Sequence, residues 1–360
     1  MQPVHQQYMY RCLQLARLGQ GKVAPNPMVG AVLVHAGRII GEGWHQQWGG
    51  PHAEVGCVAS VANSNRHLIA DATMYVSLEP CAHWGKTPPC ADLIVAQQIK
   101  KVVVGCRDPF PLVAGKGIEQ LQAAGVEVIM GALEKECREL NSRFFMFHTG
   151  QRPYIILKWA QTADGKIGGN GGPRLRISNQ FTNRLVHRWR SEEASILVGT
   201  NTALSDDPEL STRLWPGPHP VRLVVDLNGR LPASLKLFDG NIPTVVFNLN
   251  KHTIDDPGNL RQGKGTFYYK VKKEAPLVRQ VVDALFGLGI QSVMVEGGAQ
   301  LLQSFINEGL WDEARIITNE TLVAGSGVDA PVLQEQHFIK KEQLADDTLR
   351  YYRNQQHQES

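Results

Sequence analysis

Apolar positions along the chain fall into short runs that switch between helical and strand periods. His5 to Leu18 places Tyr8, Cys12, Leu15 and Ala16 on one helical face. Ala24-Pro25-Asn26-Pro27 breaks that helix, and Val29–His35 and Ile39–Trp44 read as two strands about an Ala36-Gly37 turn. The pattern then predicts helices over His52–Ala62, Ala91–Gln98, Gly117–Ala124 and Glu134–Phe147. Between them it predicts strands over Thr73–Ser77, Lys101–Gly105 and Val126–Met130. Such alternation implies an α/β layer with helices packed on a mixed sheet. The polar run His148-Thr149-Gly150-Gln151-Arg152-Pro153 interrupts the series and predicts two domains, 1–148 and 149–360. Beyond it, strands are expected at Tyr154–Ala160, Ser195–Gly199, Val221–Asp226, Thr244–Phe247, Thr266–Tyr269 and Ser292–Glu296. Helices are expected at Gln180–Ser191, Pro276–Leu288 and Ala299–Glu308, and the polar tail Tyr351–Ser360 is expected to fray.

Composition narrows the class without changing this picture. At 360 residues, 42% hydrophobic and 20% charged, the chain can bury a core in each half. No run approaches the ~20 apolar residues of a membrane span. The start Met1-Gln2-Pro3-Val4-His5 lacks a signal peptide's basic and apolar regions, so a cytoplasmic protein with no membrane partner is expected. Lys plus Arg is 37 against 34 Asp plus Glu, too small an excess for a general nucleic-acid binder. Cys12, Cys57, Cys106 and Cys137 sit singly in apolar runs and are expected in the core. Cys81 and Cys90 are different, because they bracket a loop rich in proline, glycine and histidine.

The chemistry gathers around that pair. His52-Ala53-Glu54 opens a helix after Gly49-Gly50-Pro51, and Glu79-Pro80-Cys81 follows a strand. One histidine and two cysteines, His52, Cys81 and Cys90, supply three zinc ligands and leave a fourth tetrahedral position for water. Zinc brings the pKa of such a water toward ~7. Glu54, two residues after the histidine, is placed as a proton shuttle rather than a ligand. The order His-x-Glu…Pro-Cys is the signature of zinc-dependent nucleobase deaminases. A closed structural site would need a fourth protein ligand, for which His83 is the nearby candidate.

Eight residues separate Cys81 from Cys90, where the general signature has two. The run Glu79-Pro80-Cys81-Ala82-His83-Trp84-Gly85-Lys86-Thr87-Pro88-Pro89-Cys90 resembles that of the bifunctional deaminase/reductases of riboflavin biosynthesis. The resemblance extends through Pro25-Asn26-Pro27, Gly41-Glu42-Gly43-Trp44-His45, Asp108-Pro109 and Val113-Ala114-Gly115-Lys116-Gly117. It implies a cytidine-deaminase-like α/β/α domain followed by a dihydrofolate-reductase-like α/β domain that binds NADPH. It also implies the substrate, 2,5-diamino-6-ribosylamino-4(3H)-pyrimidinone 5′-phosphate, deaminated and then reduced from ribosyl to ribityl. Asn26 can supply directional hydrogen bonds to a pyrimidine, and His45, His83 and Lys86 donors to a phosphoribosyl group. The family pattern adds Asp108 to these substrate contacts. Phe110 departs from that pattern, which has asparagine there.

In the second half, Val293-Met294-Val295-Glu296-Gly297-Gly298-Ala299 reads as strand, glycine turn and helix, a form that lets amides approach a pyrophosphate. By resemblance, Ala160, Thr202, Asp206, Gly297, Gly298 and Ala299 meet the cofactor. Lys158, Arg190, Leu210, Arg213 and Glu296 then meet the reductase substrate, the two arginines as phosphate partners. Arg230, four residues after Asp226, is the candidate cation for the 2′-phosphate that distinguishes NADPH from NADH. Arg174-Leu175-Arg176 departs from the family pattern, where a tryptophan is expected to touch the cofactor. Two other readings stand beside this one: a zinc deaminase acting on RNA through a second-half binding module, and a non-catalytic regulator with a structural zinc. A small-molecule substrate without nucleic acid is favoured, and a homo-oligomer is left open.

Overall fold

The computed structural model describes residues 3–84, 88–111, 113–169, 175–258, 260 and 263–357. It divides into two compact units, Met1–Gln151 and Arg152–Ser360. The expected boundary at 148 falls inside a helix that runs to Thr149. Among the described residues no helix is long and apolar enough to cross a membrane.

The first unit is a mixed five-stranded sheet between two helical layers. Its strands are β1 (Gly30–His35), β2 (Arg38–Trp44), β3 (Thr73–Leu78), β4 (Lys101–Cys106) and β5 (Glu127–Met130), in the order β2-β1-β3-β4-β5. β1 pairs antiparallel with β2 and β3, whereas β3, β4 and β5 run parallel. Alternation along the strands explains the layers. Ala31, Leu33, Val102 and Val104 face α2 (Ala53–Ala59), α3 (Cys90–Ala96) and α4 (Lys116–Ala123). Val32, Val34 and Val103 face α1 (Pro3–Ala16), α5 (Glu134–Leu140) and α6 (Ser142–Thr149). Cys12, Cys57, Cys106 and Cys137 are all buried, as expected.

The single helix expected over 134–147 is two helices, broken at Asn141. Its side chain is spent elsewhere: Oδ1 accepts from Met28 N at 2.7 Å and Nδ2 donates to Met28 O at 2.9 Å. A buried amide satisfied in this way pins the 26–28 loop at the edge of the site. Gly43 explains how α2 comes close enough to present His52, because a Cβ there would fall 2.2 Å from Cys57 N. Only glycine permits that approach.

The second unit is a nine-stranded sheet. Its strands are β6 (Tyr154–Gln161), β8 (Ser195–Gly199), β9 (Val221–Val225), β10 (Thr244–Asn248), β11 (Thr266–Lys270), β12 (Ser292–Gly297), β13 (Glu313–Asn319), β15 (Gln336–Leu344) and β16 (Asp347–Asn354). The order is β11-β10-β9-β8-β12-β6-β13-β16-β15, with every pair parallel except β13–β16 and β16–β15, so that β16 alone runs against the rest, and with β7 (Lys166–Gly168) and β14 (Val328–Asp329) paired apart. Helices α7 (Gln180–Glu192), α8 (Thr200–Asp206), α9 (Leu277–Gly287) and α10 (Ala299–Asn307) complete it. One continuous apolar core runs from Ile155 and Leu157 through Leu197, Leu223 and Val295 to Phe305 and Trp311.

The described part of the tail expected to fray, Tyr351–His357, is ordered instead. Tyr351 to Asn354 lie in β16, and buried Asn354 donates to Trp311 O at 2.9 Å. The polar sequence misled because β15 is exposed along most of its length, while β16 buries polar Asp347, Thr348 and Asn354 along with Leu349 and Tyr351. Strand pairing with β13, rather than apolar content, orders this end of the chain.

Candidate active sites

In the first unit His52 is the extended residue that caps α2, Cys81 follows β3 and Cys90 is the first residue of α3. His52 Nδ1 lies 3.5 Å from Cys81 Sγ and 3.3 Å from Cys90 Sγ, and all three donor atoms fall within 4.8 Å of one another. Tetrahedral zinc with ordinary Zn–N and Zn–S bonds places such atoms about 3.6 Å apart. The donor set therefore fits zinc in both chemistry and spacing. His83 is exposed and outside this group, so among the described residues no fourth protein ligand closes the site.

Electrostatics prepare the same atoms. The hydrogen bond with Cys90 is the main influence that brings Cys81 down to about 4, with His52 and the Cys90 amide adding to it. The Cys90 thiol is pushed up by the same bond and by burial. Cys81 is thereby favoured as the thiolate beside His52, whose pKa is raised by its bond to Cys81. Glu54 is buried against them, and that burial raises its pKa. A carboxyl poised upward in a closed site suits a group that must both accept and return a proton.

Several expected contact residues surround this centre. His45 is buried, with Nδ1 2.9 Å from Pro51 O and Nε2 3.1 Å from Asn26 Nδ2. These partners assign the proton to Nδ1 and let Nε2 accept from Asn26. Burial holds His45 below its ordinary pKa, consistent with the neutral ring. Asp108 is buried and raised to about 7, by desolvation first and then by Glu79 and Cys81. Its Oδ1 accepts from Phe110 N at 2.8 Å, and the Phe110 ring lies between those of His83, 6.4 Å away, and His148, 4.9 Å away. Where the family pattern has a polar side chain, this chain has an aromatic cluster. Lys86 lies outside the described residues.

The second unit gathers charge instead. Arg190 on α7 meets Glu296 on β12 through two bonds, Nε to Oε1 at 2.8 Å and Nη2 to Oε2 at 2.7 Å. Lys158 Nζ approaches Glu296 Oε2 at 3.7 Å. Burial alone would raise Glu296, but Arg190 and Lys158 outweigh it and hold the carboxyl at about 2. Beside this pair opens a cleft of about 160 Å³ whose lining includes Arg190, Asp206, Leu210 and Arg213. Lys236, which the sequence did not single out, also lines it.

The glycine turn follows β12, with Gly298 at φ +74° leading into α10. A Cβ on Gly297 would fall 2.8 Å from Thr202 Cγ2, so Thr202 packs directly on the turn. With no side chains at Gly297 and Gly298, this strand–turn–helix has the form that lets backbone amides approach a pyrophosphate. Ala160 is on β6, opposite Ile317 of β13. Arg230 is exposed and reaches Asn201 Oδ1 at 3.4 Å, while Asp226 accepts from the amides of Arg230 and Leu231. Arg174 lies outside the described residues. Sequence reasoning also missed His187, one turn before Arg190 on α7, buried with Nδ1 unpartnered. Its i, i+3 spacing from Arg190 was the available signal.

Comparison with known proteins bears on both units. Residues 2–106 match the cytidine and deoxycytidylate deaminase zinc-binding region, and residues 153–354 match the RibD C-terminal domain. The chain is 41% identical to riboflavin biosynthesis protein RibD of Aquifex aeolicus over 86% of this chain and 85% of that one. It is 37% identical to RibD of Actinobacillus pleuropneumoniae over 90% and 86% of the two chains. Among solved structures, it is similar to a diaminohydroxyphosphoribosylaminopyrimidine deaminase/5-amino-6-(5-phosphoribosylamino)uracil reductase of Thermotoga maritima. That match has a TM-score of 0.86 and 35% identity, covering 98% of this chain and 99% of the other. Acinetobacter baumannii RibD superposes with a TM-score of 0.84 at 30% identity, covering 97% and 98% of the chains. Because the second half matches a reductase domain, it is not an RNA-binding module. A zinc-fitting deaminase centre in one unit, a charged cleft and glycine turn in the other, and full-length likeness across both place this chain in the RibD family of bifunctional deaminase/reductases of riboflavin biosynthesis.

Proposed function

We propose that the first unit deaminates a diaminohydroxyphosphoribosylaminopyrimidine and the second reduces the resulting 5-amino-6-(5-phosphoribosylamino)uracil with NADPH. The observation that carries the reading is the convergence of His52, Cys81 and Cys90 within 4.8 Å. Those three residues would hold zinc, which when bound would supply a Lewis acid that brings the pKa of water toward neutral. Glu54 takes a proton from the attacking water and returns protons to the ring nitrogen and the departing amine. One C–N bond breaks, one C–O bond forms, and ammonia leaves. Asn26 holds the pyrimidine edge, and His45, whose two ring nitrogens are taken by Asn26 and Pro51 O, orients that amide rather than donating to the phosphoribosyl group. His83, Lys86 and Asp108 complete the substrate contacts.

In the second unit Ala160, Thr202, Asp206 and the Gly297-Gly298-Ala299 turn hold NADPH, with Arg230 toward the 2′-phosphate. The cofactor supplies a hydride for C1′ of the opened ribose. Lys158 and Glu296 form the floor that keeps a proton at hand, and Leu210 shapes the wall. Arg190 is committed to Glu296 by two buried bonds, which leaves Arg213 and Lys236, in more exposed pairs with Glu209 and Asp207, as the cations for the substrate phosphate. The test is incubation with the diaminopyrimidine phosphate, with and without NADPH, following ammonia release and NADPH oxidation. Ammonia release alone without NADPH, and both signals with it, are expected. NADPH oxidation that does not depend on prior deamination would refute the order of steps.

A further inference from the structure

We propose that Glu79 is a positioning residue for the deaminase substrate, fixing Asp108 and the start of α4 against the turn that carries Cys81. The inference rests on the reading of Asp108 as a substrate contact. Glu79 ends the strand region two residues before Cys81, is 3% exposed, and faces no cation within the hydrogen-bonded set around it. Its carboxylate instead accepts four backbone amides. Oε2 takes Asp108 N at 3.2 Å and Gly115 N at 3.0 Å. Oε1 takes Gly117 N at 3.1 Å and Ile118 N at 3.4 Å.

The arrangement is a buried anion placed at the N-terminus of α4, where helix amides and dipole favour it. It also binds two distant stretches of chain to one point. Gly117 is needed for this, since a Cβ there would lie 1.9 Å from Pro80 O, the carbonyl between Glu79 and Cys81. On the other side Glu79 N donates to Cys106 O at 3.0 Å, and Cys81 O accepts from Ala91 N at 3.1 Å. Asp108 carries the order onward by holding Phe110 N, whose ring lies beside His83. A carboxylate suits the position and an amide does not. With two donors on each oxygen, glutamine would satisfy one pair and turn its own N–H groups on the other.

The test uses the full-length, zinc-loaded enzyme and the diaminopyrimidine phosphate. Glu79→Gln is expected to keep its zinc and its reductase activity while KM for deamination rises by about 10-fold and kcat changes less. Glu79→Gln combined with Asp108→Asn should be no worse than Asp108→Asn alone, because both act on one contact. If Glu79→Gln does not accumulate as folded protein, Glu79→Asp, which keeps the charge but shortens the reach, carries the same test. An unchanged KM in the zinc-loaded variant, additive effects in the double variant, or zinc lost in step with activity would each overturn the proposal. Asp108→Asn with unaltered KM would instead refute the underlying reading of Asp108, which separates the two failures.

Discussion

Around His52 the first unit gathers soft donors that suit a metal, with a carboxyl beside them that burial raises, whereas around Glu296 the second gathers fixed charges that cancel. Hydrogen bonds from Cys90 and His52 draw the Cys81 thiol down toward the thiolate a metal needs, and burial raises Glu54 beside it. Glu296, equally buried, is held at about 2 because Arg190 and Lys158 sit against it. The difference follows from the chemistry each site performs. Deamination moves several protons at one centre and needs groups able to change protonation state. Hydride transfer needs alignment and a field that does not change during the reaction. Burial decides the first outcome, and the charged partners overrule it in the second.

The widest separation between the units is expected from metal loss. Cys90→Ser should lose zinc and deamination together and leave NADPH oxidation on the uracil substrate nearly intact. Glu54→Gln should keep zinc but lower deamination by ~10²-fold or more, the scale of a general acid–base contribution. Zinc content and both activities measured on one preparation check this. Full deamination by zinc-free Cys90→Ser protein would break the contrast, since the first site would then work without its soft donors.

Much of the first site was legible because its parts are short-range motifs with local structural reasons. His52 and Glu54 share one helix start, and Cys81 and Cys90 mark the end of a strand and the start of a helix. Gly43 could be quoted from the sequence, but its purpose needed the 2.2 Å approach to Cys57. The second site was legible only by resemblance. Arg190 and Glu296 are 106 positions apart, and nothing local in either segment announces that they pair. Asn141 shows a further limit. The apolar period runs through it, yet a tertiary bond to Met28 breaks the helix there. β16 was missed for the converse reason, its order coming from pairing rather than from its own composition.

The next effect tests the charge balance itself. Arg190→Met leaves the buried Glu296 carboxylate with Lys158 alone, and breaking such a pair costs about 3–5 kcal/mol. The second unit should melt earlier and lose reductase activity, while deamination by the first unit persists. Calorimetry alongside both assays reads the outcome. A variant of wild-type stability would show that the pair is not what holds Glu296 in place.

Acid should act more gently, and through His187. Burial lowers its pKa from 6.5 to about 4, with Arg190 and Arg213 adding to the shift and Glu296 and Glu209 opposing it. The folded ring therefore binds its proton less readily than the unfolded one. Its contribution to stability is complete above pH 6.5 and is lost as the pH falls from 6.5 toward 4, with no further loss below. Unfolding of the second unit measured across that window should show the slope, and His187→Asn should flatten it. An unchanged slope in the variant would assign the acid sensitivity to other groups.

The smallest effect concerns coenzyme choice. Arg230 is exposed, and its guanidinium is held only by a long 3.4 Å contact to Asn201 at the start of α8, so it is free to turn toward a phosphate. Asp226, by contrast, is already occupied by the amides of Arg230 and Leu231 and fixes the turn from which the arginine projects. A contact made in solvent lies at the weak end of charge-assisted hydrogen bonding, so Arg230→Ala should raise KM for NADPH by about 10-fold. KM for NADH should barely move, because NADH has no 2′-phosphate to lose. The same variant should bind its pyrimidine substrate normally, since Arg230 is not among the residues that line the charged cleft beside Glu296. Comparable changes with both coenzymes would mean that Arg230 supports the turn rather than reading the phosphate, and the preference would then have to come from another residue at the ends of β9 or β10.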